Sequence, residues 1–484
     1  MITENKKFRY DQIANQLEDS ILNDILKVGE KLPSVRLLSK QQHVSPSTIF
    51  KAYYQLEAKG LIEARPKSGY YVRFRHAERV APAVVSATQP NAKAIDTSEI
   101  IKELEELRNS ESILKLSSAV PSPKLLPIAR LNKSIGEAVR TEKNFLLKYT
   151  HPQGNPELRR VIAQQLLNWG GNFRAEDLVI TAGCMEALNI SLMILTQPSD
   201  VIAIDELTYF SIHQAVEILG LKAVSIPVTS TGLDIPFLKK AIEQFPIKAG
   251  LFVTNFHNPT GVCIPDIQKK ELVELMTAKQ IPIIEDDIYG ELYFGKNRPS
   301  TCKFYDTEGW VLYCSSLSKT IAPGYRIGYC QPGRFLEQFA HQKRILSLST
   351  SSLPQAALLN FFQKGRYDFH LRKLRTARHT QALRYSQCIL QYFPVGIYFS
   401  VPEGGFNFWI EFPKEFDSYE LFKAAKDQQI GIAPGQIFSV ESNYKNYIRL
   451  SFAEPFTEEI EEGIKQLGTL AEKQLALSNY SKEF

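Results

Sequence analysis

The stretch Cys314-Ser-Ser-Leu-Ser-Lys319-Thr-Ile-Ala-Pro-Gly324-Tyr-Arg326-Ile-Gly328-Tyr329 decides how the larger part of this chain is read. Trp310-Val-Leu-Tyr-Cys314 reads as a short buried strand, and Pro323-Gly324 forces a turn shortly after it. Around that turn Ser316, Ser318, Lys319 and Arg326 supply two hydroxyls, an amine and a guanidinium. A guanidinium meets a phosphate through two parallel hydrogen bonds, and an amine held near a cation and out of bulk water becomes a nucleophile toward carbonyls. The set suits a phosphate with a carbonyl beside it.

Around this stretch, Ile113 to Ser478 reads as strands alternating with helices, a pattern that favours a mostly parallel sheet covered on both faces, an α/β body. Several predicted strands end in chemically useful residues. Leu178-Val-Ile-Thr181 runs into Ala182-Gly183-Cys184-Met185-Glu186, a helix start whose free N–H groups suit a dianion. Val201-Ile-Ala-Ile204 leads to Tyr209, Gly250-Leu-Phe-Val-Thr254 to Asn258-Pro-Thr-Gly261, and Ile281-Pro-Ile-Ile-Glu285 to Asp286-Asp287-Ile-Tyr289.

The pattern S-x-S-K followed by P-G-x-R-x-G resembles the cofactor-lysine region of fold-type I pyridoxal-phosphate (PLP) aminotransferases. The resemblance implies Lys319 as the lysine of the internal aldimine, with Ser316, Ser318, Arg326 and the backbone of Gly183, Cys184 and Met185 on the phosphate. Relatives usually have a small residue and then glutamine where Cys184 and Met185 stand, so a side-chain contact is lost while backbone contacts survive. It further implies that Tyr209 stacks on the pyridine, Asn258 and Tyr289 meet its phenolic oxygen, and Asp286 pairs with its protonated nitrogen, keeping the ring an electron sink. Asp287 is assigned a structural role and His257 a packing role. Tyr149, in Tyr149-Thr-His-Pro-Gln-Gly154, resembles the tyrosine that reaches the phosphate of the other subunit in a homodimer. Arg449, in Tyr447-Ile-Arg449-Leu-Ser-Phe-Ala453, resembles the arginine that holds the substrate α-carboxylate. A small C-terminal α+β part completes the expected body.

The front of the chain follows a different plan. Ile13, Leu17, Ile21 and Ile25 recur at helical spacing from Tyr10 to Leu26, Ser34 caps a short second helix, and Pro46 starts a third whose inward residues are Ile49, Tyr53 and Leu56. Leu61–Arg65 and Tyr70–Phe74 predict a hairpin through Pro66-Lys67-Ser68-Gly69. Three helices and a basic hairpin make a winged helix-turn-helix. Gly29-Glu-Lys-Leu-Pro-Ser-Val-Arg36, Val44-Ser-Pro-Ser-Thr48 and Leu56-Glu-Ala-Lys-Gly-Leu-Ile62 resemble the GntR-type DNA-binding domain. That resemblance implies DNA contacts by Arg36, by Ser45, Ser47, Thr48 and Lys51 at the start of the third helix, and by Arg65, Lys67 and Gly69 of the wing. Pro46 and Phe50 stand where relatives often carry arginine, which places base reading on Arg36 and the hydroxyls.

Charge agrees with a basic front module. Of 57 Lys and Arg and 52 Asp and Glu, 14 and 9 fall in residues 1–80, leaving 43 of each for the rest, so the whole excess of +5 lies at the front. Residues 1–75 are therefore read as the DNA-binding domain, 76–112, small and proline-bearing at first, as a linker, and 113–484 as the aminotransferase-like domain. Six scattered cysteines read as reduced thiols, and no apolar run approaches the roughly 18 residues of a membrane span, so a cytoplasmic protein with no membrane partner is expected.

The order of the two resemblances is that of the MocR-type transcription regulators. The function it implies is sensing of PLP, of an amino compound, or of both, through an aldimine at Lys319, by a homodimer bound to operator DNA, with transamination weak or absent. The alternative is a working aminotransferase with an attached DNA-binding module.

Overall fold

The computed structural model describes residues 9–22, 25–27, 29–58, 61–65, 68–72, 90–94, 99–109, 113–141, 147–171, 173–364, 367–441 and 443–480. At the front, α1 (Arg9–Leu22), α2 (Val35–Gln41) and α3 (Pro46–Ala58) pack with the hairpin β1 (Ile62–Arg65) and β2 (Gly69–Val72). Ser34 caps α2 by accepting from Leu37 N at 3.2 Å. Ile13, Ile21, Leu38, Ile49, Tyr53, Leu56 and Val72 close one small core, and Tyr53 satisfies its buried hydroxyl by donating to Pro33 O at 2.6 Å. The first helix is described as far as Leu22; Ile25 and Leu26, expected on it, lie in a bend, and Ile25 is exposed. Gly69 sits at φ 108°, where an L side chain is strained, and this lets the hairpin turn.

The expected linker is partly built into the body. β3 (Ala92–Ala94) pairs antiparallel with residues 222–224 at the edge of the main sheet, and α4 (Glu99–Asn109) buries Ile101 and Leu104 in the core of the small domain. Both lie inside residues 76–112: the apolar spacing of α4 finds its partners far along the chain, and a three-residue edge strand has no local signature.

The body continues through α5 (Ile128–Thr141), α6 (Pro156–Leu166), β4 (Val179–Thr181), α7 (Cys184–Leu195), β5 (Val201–Asp205), α8 (Phe210–Ile218) and β6 (Lys222–Ile226). There follow a small hairpin, β7 (Val228–Thr229) and β8 (Gly232–Leu233), then α9 (Ile235–Gln244), β9 (Ile247–Phe252), α10 (Asp266–Ala278) and β10 (Ile283–Asp286). Next come α11 (Cys302–Tyr305), β11 (Val311–Ser316), β12 (Gly328–Gln331), α12 (Leu336–Ser347), α13 (Ser352–Gln363) and the long α14 (Tyr367–Tyr392). The chain ends with β13 (Tyr398–Phe399), β14 (Asn407–Glu411), α15 (Ser418–Asp427), β15 (Ala433–Pro434), β16 (Tyr447–Ser451) and α16 (Glu458–Tyr480).

The main sheet has the order β3-β6-β5-β9-β10-β11-β12-β4, in which β6, β5, β9, β10 and β11 run parallel to one another, while the β3–β6, β11–β12 and β12–β4 pairs are antiparallel. Strands covered on both faces are apolar in runs rather than alternating, as in β5, whose five residues are all buried and whose first four, Val201 to Ile204, are apolar. A second, antiparallel sheet, β13-β14-β16-β15, packs with α14, α15 and α16 around a core of Phe408, Trp409, Phe412, Phe422 and Phe452. The architecture is that expected of the sequence: a mostly parallel α/β body, a small α+β part and a winged helix. Because β5, β9, β10 and β11 run parallel as neighbours, their C-terminal ends open on one side, where α/β sheets bind ligands.

Candidate functional site

The loops after those strand ends line one cavity of about 650 Å³. Cys184, Met185, Tyr209, Asn258, Asp286, Tyr289, Ser316, Ser318, Lys319, Arg326 and Arg449 all face it. Of the residues assigned to the body, only Gly183 and Tyr149 do not. Gly183 shapes the cavity from behind: at φ 92° it is the N-cap of α7, and a Cβ there would lie 2.2 Å from the Arg326 guanidinium. Arg326 is thereby held between Ala182 O, at 3.2 Å, and Ser318 Oγ, at 3.4 Å. Ser318 in turn lies 2.8 Å from Ser316 Oγ. The first N–H groups of α7, two hydroxyls and a guanidinium thus form a concave anion cradle.

Asp286, at the end of β10, forms the floor. Its Oδ1 accepts from Ile288 N at 3.1 Å and from the Cys184 thiol at 3.4 Å. Burial pushes the carboxyl up to about 6, against the opposing pull of those two donors and of Lys319. Burial and the nearby Asp286 carboxylate push the Cys184 thiol well above its ordinary range, which keeps it a protonated donor. The sequence reading gave Cys184 only a backbone role; its thiol in fact supports Asp286 across 102 positions of chain, a contact no local motif announces.

Lys319 Nζ lies 5.7 Å from the centre of the Tyr289 ring and donates to Ala119 O at 2.7 Å. Arg449, buried in the second sheet, donates from Nη1 to Asn258 Oδ1 at 3.0 Å and from Nη2 to Ser117 O. Asn258 Oδ1 also accepts from Asn407 Nδ2 at 3.2 Å, which turns the other end of the Asn258 amide, a donor, toward the cavity. Desolvation lowers Arg449 from its ordinary value, while Tyr289 and Tyr209 oppose that shift. The Ser117 and Ala119 carbonyls were missed by the sequence reading, because a backbone contact leaves no residue preference. Leu104 and Glu105 of α4 also line the cavity, from within the stretch read as linker.

Two neighbours, Asp287 and His257, do not line the cavity. Asp287 turns away, accepting from Asn255 Nδ2 at 2.8 Å and Tyr313 OH at 2.7 Å and pairing with Arg298. His257 is buried, with Nδ1 2.9 Å from Thr260 Oγ1 and Nε2 3.4 Å from Asp205. Tyr149 is 85% exposed on its own chain.

The residues present fit PLP: a dianion cradle, a carboxylate at the far end for a ring nitrogen, an amide donor at the side and an amine within one small cavity. On the front domain, Arg36, Ser45, Ser47 and Lys51 are exposed, and Ser45 Oγ lies 2.8 Å from both Ser47 Oγ and Thr48 Oγ1. Ser47, Phe50, Lys51 and Tyr54 form one exposed stripe at helical spacing, so Phe50 and Tyr54, which the sequence reading did not assign, share the outer face of α3. Arg65 ends β1 opposite Gly69; its side chain and Lys67 lie outside the described residues.

Comparison with known proteins agrees with both halves. The family profile "Bacterial regulatory proteins, gntR family" matches residues 9–72 and "Aminotransferase class I and II" matches residues 111–467. The chain is 35% identical over 468 residues to the HTH-type transcriptional regulator YdcR of Escherichia coli K12, covering 96% of this chain and 100% of that one. It is 30% identical to the HTH-type transcriptional regulator YdfD of Bacillus subtilis 168, covering 97% of each. Among solved structures it resembles the α-aminoadipate aminotransferase LysN of Thermus thermophilus, complexed with N-(5'-phosphopyridoxyl)-L-leucine, with a TM-score of 0.73, 25% identity and coverage of 79% and 97%. It also resembles the kynurenine aminotransferase of Pyrococcus horikoshii, in complex with PMP, with a TM-score of 0.73, 26% identity and coverage of 79% and 96%. The chain therefore belongs to the MocR-type regulators, in which a GntR-family winged helix precedes an aminotransferase class I and II domain of the kind that binds pyridoxal phosphate.

Proposed function

We propose that the protein senses PLP, an amino compound, or both in the cavity and passes its occupancy to two winged helices on operator DNA, as a cytoplasmic homodimer. The observation that carries this reading is the pairing, in one chain, of a cofactor cavity that keeps its lysine with a winged helix that exposes Arg36, Ser45, Ser47 and Lys51. A catalyst has no physical need of that face. Bound PLP supplies an aldehyde carbon and a ring that withdraws electrons when its nitrogen is protonated. Around it, Arg326, Ser316, Ser318 and the start of α7 hold the phosphate, Asp286 keeps the ring nitrogen protonated, and Lys319 Nζ offers the amine. Arg449 turns its guanidinium to the carboxylate of the amino compound.

Tyr149 completes the phosphate site of the other subunit in this reading. Support comes from Leu147, Tyr149, Ile345, Leu346 and Leu348, large apolar side chains exposed on the single chain.

Borohydride treatment followed by peptide mapping tests the lysine: the cofactor becomes fixed to the peptide holding Lys319, and Lys319→Ala abolishes the fixation. Footprinting on genomic fragments, with PLP bound and removed, tests the regulator. Absence of any footprint in both states, from protein that still takes up PLP, sinks it. The second reading, a working aminotransferase, is favoured by the convergence of Lys319, Asp286, Asn258, Tyr289, Arg326 and Arg449 in one cavity. Turnover of about 1 to 1,000 per second with a common amino acid would establish it.

A further inference from the structure

Beside the cofactor cavity, with Pro123 lining both, a groove of about 900 Å³ runs between the chain from Pro123 into the start of α5 and the first turns of α14. Lys124 and Arg130 stand on one rim, Arg372 and Lys373 on the other, and no Asp or Glu lines it. Among the described residues none of the four pairs with a carboxylate; Lys373 lies 5.0 Å from the centre of the exposed Phe369 ring. Asp368 is exposed one position before Phe369, outside the groove, and pairs with none of them. Elsewhere on the body exposed lysines do meet acids, as in Lys239–Glu271 and Lys423–Glu420. Four cations around one channel repel each other and gain most from a polyanion.

We propose that this groove binds one phosphodiester strand of the duplex beside the half-site read by the winged helix, so that the body as well as the head contacts DNA. The inference rests on the regulator reading. Two observations favour duplex DNA over other polyanions. The head of this same chain belongs to a DNA-binding family, and α3 approaches the body at α14, the helix that carries Arg372 and Lys373. On the inner edge of the groove, His370 Nε2 lies 2.6 Å from Thr320 O, next to Lys319. A strand held there therefore lies against the loop that positions the cofactor lysine.

The test compares wild type with Arg372→Ala/Lys373→Ala and with Lys124→Ala on the facing rim, all as full-length protein. These side chains are exposed, and an unchanged visible cofactor band reports that the body remains folded. The expected result is a log-log salt dependence of operator binding that flattens by about 0.9 per phosphate contact removed, nearly two for the double variant. Footprints should lose flanking protection while protection of the half-site bases persists. Unchanged slope and footprint in both variants, with wild type binding normally, overturns the groove. So does a shift in dimer dissociation measured by sedimentation with DNA binding intact, which would make the groove an interface with a second copy. Wild type that binds no operator at all removes the regulator reading itself and is thereby told apart from failure of the groove.

Discussion

Burial lifts Asp286 from its ordinary 3.8 to about 6, and this has a measurable sign. The folded value lies above the unfolded one, so the contribution of this group to stability is greatest below about pH 4. It is lost as pH rises to 6, and the full penalty persists above that. The difference corresponds to about 3 kcal/mol. Cofactor-free Asp286→Asn is therefore expected to melt above cofactor-free wild type at pH 8, with the gap closing toward pH 4; a gap independent of pH would refute this origin. PLP, whose protonated ring nitrogen needs the ionised carboxylate, should bind wild type more weakly as pH falls through 6, and the variant should lack that step. Absorbance titration reads it directly. Phe50 gives a second residue-level test, because an exposed ring on the outer stripe of α3 suits a thymine methyl. Replacing the contacted thymine by uracil should weaken wild type by about 0.8 kcal/mol, roughly fourfold, and leave Phe50→Ala unaffected. Equal sensitivity of the two proteins would exclude the contact.

The start of α7 depends on Gly183 at the element scale. A Cβ 2.2 Å from Arg326 must displace the guanidinium from the cradle, so Gly183→Ala should weaken PLP binding tenfold or more while circular dichroism stays native. Retained affinity would mean that Arg326 is not needed where it stands. Such local units were legible in the sequence: the helix start at Gly183, the turn at Pro323-Gly324 and the three helices of the head each rest on residues within a few positions of one another. Contacts closed over long separations were not. β3 has three residues and its partner is at 222–224, α4 buries its apolar side against the small domain, and Cys184 meets Asp286 through space. The Ser117 and Ala119 carbonyls that hold Arg449 and Lys319 could have belonged to any residue type.

At the scale of the whole molecule, the proposed homodimer would deliver two heads together, so half-site centres should favour separations of about 10 to 10.5 base pairs or multiples. Binding-site selection with varied spacers checks this; equal recovery of all spacings would contradict it. Lys67→Ala in the wing should flatten the salt dependence by about one, with unchanged sequence preference. The edge strand β3 sets the scale on which those spacings are chosen. Val72 ends the head and Ala92 is already fastened to the sheet, so 19 residues lie between them. Fully stretched they reach about 70 Å. Each head is thus leashed within a sphere of that radius about the sheet edge, and operators with half-sites beyond it are out of range unless three strand residues are peeled away. Lengthening the leash by about ten Gly-Ser residues near position 80 should widen the tolerated spacings without touching a single DNA contact.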